Sequence, residues 1–537
     1  MIVTAIIHLK LKRKLKINRK YMIAKQLIEP KSIVVVGGSD DIHKPGGTVL
    51  RNLQDGNFKG SLYVVNPKMD EVQGIKAYRD VKDLPEVDCA ILAIAAKFCP
   101  STVEVLAKQK NTKAFIILSA GFHEENEEGA KLERQIVETI NSVGGSLIGP
   151  NCIGVLTNHY SGVFTSPIPE LNPQGVDLIS GSGATALFIM DSGMQKGIKF
   201  NSMYSVGNSA QLGVEEILEY MDESFDPKTS SRVKLLYVES IEKPEKLLKH
   251  ASSLIRKGCR IAAVKSGGSA AGSRAASSHT GALASSDVAV EALFRKAGIV
   301  RCNGRDELMT VAGIFMHPEM KGRNMAVVTH AGGPAVMLTD ALSNGGMDVP
   351  HIEGEKAQEL LGKLFAGSSV GNPIDFLATG TAEQLGYILD ACDRDFDNID
   401  GMAVIFGSPG LFPVFDVYNV LDEKMKTSKK PIFPIFPSSK IVKDEIAEFV
   451  SKGRVYFPDE VLFGNALCKI YKTPAPQPEH FEMPDMDVKK IREVVDNAQN
   501  GYLSPDEIHA LLDAAGVARA KEGVSDNEEE IVKMAKE

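Results

Sequence analysis

The 537-residue chain is 43% hydrophobic and 24% charged, the make-up of a soluble globular protein, and its length implies three or four domains rather than one core. Its formal charge of −8 hides an asymmetry. Residues 1–21 hold seven Lys or Arg and no acid, and taking those seven from 61 leaves 54 basic against 69 acidic side chains, or −15, which speaks against nucleic-acid binding. The seven cysteines show no CxxC spacing, which speaks against a disulfide framework or a zinc site; no metal site is expected, and free thiols in a reducing cytoplasm fit.

In residues 1–21 the apolar run precedes the basic run, the reverse of a secretory signal, and it is too short to span a bilayer. The segment reads as a basic extension outside the fold, with Met22 the expected start, or else as a basic amphipathic surface helix. No membrane association of the body is expected.

From Ser32 strands and helices alternate. SIVVVGG is a continuous apolar run ended by Gly37 and Gly38, as a strand buried on both faces would be. LYVVNPK, DCAILAIAA, AFIILSAGF and SLIGPNC follow at spacings that leave room for crossover helices, so residues 22–160 read as a Rossmann-like, doubly wound parallel sheet with its ligand at the carboxyl ends of the strands. The first turn lacks GxGxxG spacing. At the end of the second strand, where an NAD site wants an acid, stand Asn66 and Lys68; a cation there suits NADP or coenzyme A better than NAD, although Lys68 reads equally well as a solvated turn residue.

After the Pro-containing connection SPIPELNPQG, a second α/β region is expected over 165–316. VDLISGSGATALFIMDSG is a strand, a turn of Ser180, Gly181, Ser182 and Gly183, then a helix, whose free N–H groups make an anion site. VKLLYVESI ends with Glu239 at the same edge. RIAAVKSGG then delivers the chain into KSGGSAAGSRAASSHTGALASS, a Gly-, Ala- and Ser-rich segment read as a mobile loop that carries a reactive histidine, His279. Lys265 and Arg274 within it either attract phosphate or are solvated. A third region, 322–471, repeats the device: a strand, His330, a turn with Gly332 and Gly333, and a helix with Pro334 in its first turn. His330 reads as a neighbour of that anion site. Residues 472–490 are a Pro-rich linker. In YLSPDEIHALLDAAGV, Ser504, Pro505 and Glu507 form a helix-start signature, so 491–537 reads as the opening of a fourth domain.

The order of these motifs resembles the nucleoside-diphosphate-forming acyl-CoA synthetases, relatives of succinyl-CoA synthetase. VVGGSDD with VVNPK, LIGPNCIG, LISGSGATA, YVESI, AASSHTGAL, THAGGPAVM, GNPIDF and YLSPDEIHALLDAAGV carry the resemblance, which covers nearly everything from Met22. It implies a CoA-binding Rossmann-like domain, two flavodoxin-like ligase domains and the start of an ATP-grasp domain. It implies CoA contacts at Gly37, Ser39, Asn66, Lys68, Ile94, Ala95, Asn151 and Cys152, phosphate contacts at Ser180, Ser182, Gly183, Gly332 and Gly333, and catalysis by His279 with Glu239 supporting it. Cys152 has no paired histidine in the sequence and reads as a buried or CoA-adjacent thiol. The implied reaction interconverts acyl-CoA, ADP and phosphate with acid, CoA and ATP. Acetate is the default acid, ATP/ADP with Mg2+ is held by an ATP-grasp domain or subunit, and an oligomer is expected in the cytoplasm. One departure stands out: in GNSAQLGVEE, relatives often carry an acid where this chain has Gln211 or Gly213, a place where substrate preference could be set. Alternatives are a non-catalytic CoA-binding protein or sensor and an NADP-dependent reductase, the latter leaving the histidine segment unexplained.

Overall fold

The computed structural model describes residues 23–56, 58–280, 286–408, 410, 413–478, 485–499, 501–520 and 525–536, with the backbone alone over 276–280. The expectations for residues 1–21 and for the stretch just after His279 lie outside the described residues. The chain divides into two compact units, Tyr21–Gln477 and one that contains Pro478–Glu537.

The larger unit holds three sheets. In the first, strand Ser32–Val36 lies between Ser61–Val65 and Cys89–Leu92, with Ala114–Ile117 and Ser146–Ile148 continuing one way and the short pair Glu71–Val72 and Ile75–Tyr78 the other. The central strands pair in parallel, and order reverses at Ser32–Val36, the switch point where doubly wound sheets bind ligands. The continuous apolar runs follow from burial on both faces. Ile33 and Val35 pack on one side and Val34 and Val36 on the other, each at most 4% exposed. Each such side chain contributes about 1.5–3 kcal/mol of burial energy.

The second sheet runs Val300–Cys302, Arg260–Lys265, Val233–Val238, Leu171–Ser180, Phe200–Ser205, all parallel, then an antiparallel hairpin, Gly154–Leu156 and Ser161–Val163. That hairpin straddles residue 160, the expected end of the first region, and pairs with the second sheet through Val155 and Leu156. Strand Leu171–Ser180 also starts inside the stretch read as a connection, with its register shifting between Leu171 and Asp177. The third sheet, Ile374–Asp375, Met325–Thr329, Gly401–Ile405 and Ile432–Ile435, is wholly parallel. Shared apolar clusters join the sheets. Ile33 and Ile91 of the first belong with Ile179 and Leu236 of the second, and Leu178 and Leu235 of the second belong with Val327 and Phe433 of the third.

Two readings are corrected. The small-residue segment is not a loop throughout: residues Ala270–Thr280 are helical, and the Ser269 hydroxyl accepts the Gly272 N–H at 3.0 Å to start the helix. Alanine has the highest intrinsic helix propensity, so a segment without an apolar stripe can still be helical. The Pro-rich linker is also partly docked. The Gln477 N–H donates to the Lys296 carbonyl at 3.1 Å, Arg256 donates to the Gln477 carbonyl, and Pro476 packs on Gly298. Helix Val488–Asn497 begins before its expected end at residue 490.

In the smaller unit the helix-start signature forms as read. The Ser504 hydroxyl accepts from the Glu507 N–H at 3.3 Å, and the Glu507 carboxylate accepts from the Ser504 N–H at 2.7 Å, opening helix Pro505–Ala514. A further helix, Glu528–Met534, is capped by Asn527.

Candidate active site

At the carboxyl edge of the first sheet the chain turns sharply after Val36. Gly37 has φ +88°, and a Cβ there would stand 2.5 Å from the Ala93 carbonyl oxygen, so the close approach of neighbouring strand ends requires glycine. Asn66 fastens this edge: its amide donates to the Gly38 carbonyl at 2.9 Å, and its carbonyl accepts from the Lys68 N–H at 2.9 Å. Lys68 itself is exposed. Ser39 accepts from the Asp41 N–H through its hydroxyl and from the Gln73 amide through its carbonyl. Ile94 and Ala95 follow the next strand, and the Ile94 carbonyl accepts from the Ser119 hydroxyl. Gly37, Ser39, Asn66, Lys68, Ile94 and Ala95 stand at the carboxyl edge of the first sheet and are not among the described residues that line the cavity between this sheet and the second.

The next loop leads to the second sheet. Asn151, at φ +56° in the left-handed region that asparagine tolerates, donates its N–H to the Ser119 carbonyl at 2.9 Å. The Pro150 carbonyl accepts from the Asn208 N–H at 2.9 Å, and a Cβ on Gly207 would lie 2.3 Å from that same oxygen. Gly207 therefore lets the two sheets touch.

Between them lies a cavity of about 330 Å³. From the first sheet come His123, Asn151 and Cys152; from the second come Gly181, Ser182 and Gly183 at the start of helix Gly183–Gln195, and Glu239, just past strand Val233–Val238. Ser182 caps that helix by accepting the Thr185 N–H at 3.3 Å. Ser180, fully buried, donates to the Ser182 carbonyl at 2.7 Å and so shapes the turn from beneath. The free N–H groups and dipole of this helix end favour an anion by about 0.3–1 kcal/mol, up to ~2 when partly buried. Glu239 is half-buried and, among the described residues, accepts only a long contact, 3.4 Å, from the Tyr237 hydroxyl. Its carboxylate is thus available to a ligand or to an imidazole.

Cys152 is 3% exposed, its Sγ donates to the Ile117 carbonyl, and burial pushes its thiol up to about 12, so it is no nucleophile near neutral pH. His279 falls in the last turn of helix Ala270–Thr280, and its side chain lies outside the described residues. Lys265 is buried and donates to the Gly267 carbonyl at 3.0 Å, whereas Arg274 is exposed. Gly332 and Gly333 begin helix Gly332–Asn344 on the third sheet, beside Asp375, and are not among the described residues that line the cavity. His330 there is bound to Gly407, and burial depresses its basicity.

Sequence reasoning overlooked several polar lining residues, among them His123, Asn208, Glu215, Glu242 and Lys243. Glu215 is buried, with its carboxylate accepting the Glu242 and Lys243 N–H groups at 2.9 and 3.1 Å. His123 and Asn208 sit in loops at the carboxyl edges of strands Ala114–Ile117 and Phe200–Ser205, and the switch-point rule applied to every strand would have found them. Gln211 does not face the cavity; it clasps the first sheet, accepting from the Leu147 N–H and donating to Asn141 and Gly145. Gly213 does line it.

Residues 31–158 match the family described as "CoA binding domain", and residues 173–315 match "Succinyl-CoA ligase like flavodoxin domain". That pairing, around a cavity closed by both, defines the class of acyl-CoA ligases. The chain is 32% identical over 431 residues to the alpha subunit of acetate–CoA ligase [ADP-forming] II of Pyrococcus furiosus, covering 79% of this chain and 92% of that one. It is 36% identical to acetate–CoA ligase [ADP-forming] I of Archaeoglobus fulgidus over 70% of this chain, and spans 53% of that longer protein. A solved acetyl-coenzyme A synthetase from Ca. Korarchaeum cryptofilum, in complex with phosphate and ADP, superposes with a TM-score of 0.74 at 26% identity, covering 83% of this chain and 96% of that one. The chain belongs to the ADP-forming acetate–CoA ligase family. Among the described residues no helix is long and apolar enough to cross a membrane.

Proposed function

We propose that this chain is the CoA-binding, phosphoryl-accepting part of an ADP-forming acetate–CoA ligase, completed by an ATP-grasp domain or subunit that holds ADP and Mg2+. The observation that carries the reading is the single cavity in which Glu239, the Ser182 helix end and the Asn151–Cys152 loop meet. CoA lies along the first sheet's carboxyl edge, from Gly37, Ser39, Asn66 and Lys68 through Ile94 and Ala95 to Asn151, with its thioester in the cavity.

A phosphate oxygen attacks the thioester carbonyl carbon, the C–S bond breaks, and CoA leaves as a thiol after taking a proton. Backbone donors after Ser182 hold the phosphoryl oxygens. The imidazole of His279 then attacks phosphorus, the P–O bond to the acyl group breaks, and the acid leaves as carboxylate. Glu239 accepts a hydrogen bond from the other ring nitrogen, fixing the tautomer and stabilising the charge that develops. ADP later takes the phosphoryl group as the N–P bond breaks, with the Gly332 and Gly333 helix end serving as a second anion site. The domain plan that goes with this reading is a CoA-binding domain over 22–160, ligase domains over 165–316 and 322–471, and an ATP-grasp opening over 491–537.

The test is mass spectrometry of the full chain after incubation with acetyl-CoA and inorganic phosphate. Acid-labile phosphate on His279, lost in Glu239→Gln and in the absence of thioester, is the expected result. No phosphate, even with an ATP-grasp partner added and CoA firmly bound, would leave a CoA-binding protein instead.

A further inference from the structure

Among the described residues, two basic side chains line the cavity, Lys243 and His123. The Lys243 ammonium is engaged by the buried Glu216 at 3.0 Å. His123 is held differently. Its Nδ1 lies 2.8 and 2.9 Å from the two oxygens of Glu133, a side chain only 12% exposed. A carboxylate can only accept, so Nδ1 carries the proton, and Nε2 makes no hydrogen bond to a described residue. The Glu133 carboxylate is fixed from the other sheet: the Asn208 amide donates to it at 3.2 Å and to Glu124 at 2.5 Å, while Asn151 donates to the Asn208 carbonyl oxygen at 3.4 Å. One imidazole is thus oriented by both layers that close the cavity.

We propose that His123, oriented by Glu133 and Asn208, is an anion-binding side chain of this cavity whose Nε2 holds the inorganic phosphate, and then the acyl phosphate, of the reaction proposed above. It rests on that reading for the identity of the anion. Beside the Ser182 helix end and Lys243, which Glu216 already engages, the charged groups of the cavity are Glu239, Glu215 and Glu242, an acidic setting for a phosphate dianion, although the Glu215 charge is spent on two backbone N–H groups. The groups that face His123 are Glu133 on helix Glu127–Ser142, Glu124 in its own loop and Glu242 from the second sheet. The Glu133 hydrogen bond raises the His123 pKa above its ordinary value, burial opposes this, and the charges of Glu133, Glu124 and Glu242 add to the rise. His123 therefore keeps its charge to higher pH than an ordinary imidazole and loses that charge as pH rises through the raised value. The same three side chains, His123, Glu124 and Glu133, bring ligand atoms within 4.8 Å of one another. A cation there would have to displace the Nδ1 proton and the Gly121, Phe122 and Asn208 donors on Glu124.

The experiment is calorimetric titration of the full chain, pretreated with EDTA, with inorganic phosphate and with sulfate between pH 5.5 and 9. Sulfate stays a dianion over that range, so its pH dependence reports the protein alone. The wild type is expected to lose affinity for both anions by roughly ten- to a hundredfold as His123 deprotonates, the scale of a lost charge-assisted hydrogen bond. His123→Gln should bind at the weak level throughout, with a flat sulfate profile and an unchanged melting temperature. Glu133→Gln should keep the profile but move its midpoint to lower pH, which a merely structural role would not do. A His123→Gln variant with wild-type sulfate affinity and pH profile overturns the inference, as does binding in the wild type that EDTA abolishes. These titrations need no turnover, so they separate failure of the anion site from failure of the ligase reading, which the phosphorylation of His279 decides.

Discussion

Gln211 stands where a substrate-selecting acid could be expected, yet the structure gives it another task. Strand Ser146–Ile148 is the last of the first sheet, with one side open. The Gln211 side-chain amide fills that side, its oxygen accepting the Leu147 N–H at 2.6 Å and its nitrogen donating to the Gly145 carbonyl at 3.2 Å and to Asn141 at 2.7 Å. Accepting from residue i+1 and donating to residue i−1 is what one residue of a parallel partner strand does. Gln211→Ala removes it and leaves two buried backbone groups unpaired, at about 1–3 kcal/mol each, or about 2–6 kcal/mol together. At 1.4 kcal/mol per factor of ten, amide hydrogens over 145–148 should exchange roughly 30- to 20,000-fold faster, read by hydrogen–deuterium exchange of that peptide. Gln211→Glu keeps the acceptor but sets a carboxylate against two oxygens. Its folded pKa is raised above the unfolded value of about 4.3, so its stability relative to wild type is best at low pH and falls as pH rises through the raised value. Acyl-CoA preference should be the same in all three proteins. Unchanged exchange together with an altered acyl preference would refute the edge-clasp argument.

The ion pair between Lys234 and Asp177, at 2.5 Å with both side chains at most 4% exposed, also holds Ser202, Asn201 and the Ser231 carbonyl. Lys234→Met should cost about 3–5 kcal/mol by denaturant titration, and the double change with Asp177→Leu should cost less; a single change costing under about 1 kcal/mol would contradict the buried-charge account. Cys152 should resist iodoacetamide at pH 8 in the native protein and react on unfolding, as peptide mapping would show, because its thiol titrates only near 12. Rapid native labelling would mean the cavity exposes it. For Glu216, burial acts to raise the pKa, but Lys246, Lys243 and the Gly213 N–H outweigh it and the carboxyl sits below its ordinary value. Its contribution is present above the unfolded pKa of about 4.3 and is lost as pH falls through the lowered folded value. Glu216→Gln should flatten the acid limb of a stability–pH curve, and an unchanged limb would count against it.

What could be read beforehand followed from chemistry close in sequence. Strands buried on both faces read as unbroken apolar runs, Ser504 and Glu507 are three residues apart, and Glu239 is placed by the strand it ends. Helix Ala270–Thr280 escaped because it has almost no large apolar side chain, so periodicity is silent where alanine propensity alone speaks. His123, Asn208 and Gln211 escaped for a different reason. The carboxylate partners of Asn208 and the partners of Gln211 are 64 to 84 residues away along the chain, on the other sheet, and His123, only ten residues from Glu133, meets the second sheet only when the two sheets dock. That docking has readable causes in part: Gly207 is a glycine because its neighbour's carbonyl is 2.3 Å from where a Cβ would be, and Asn151 is an asparagine at a left-handed φ. Both stand in short Gly- or Pro-containing turns at strand ends, and two such turns on successive sheets mark where the layers meet. The polar side chains beside them, His123 included, are therefore the ones to examine for chemistry that neither sheet could perform alone.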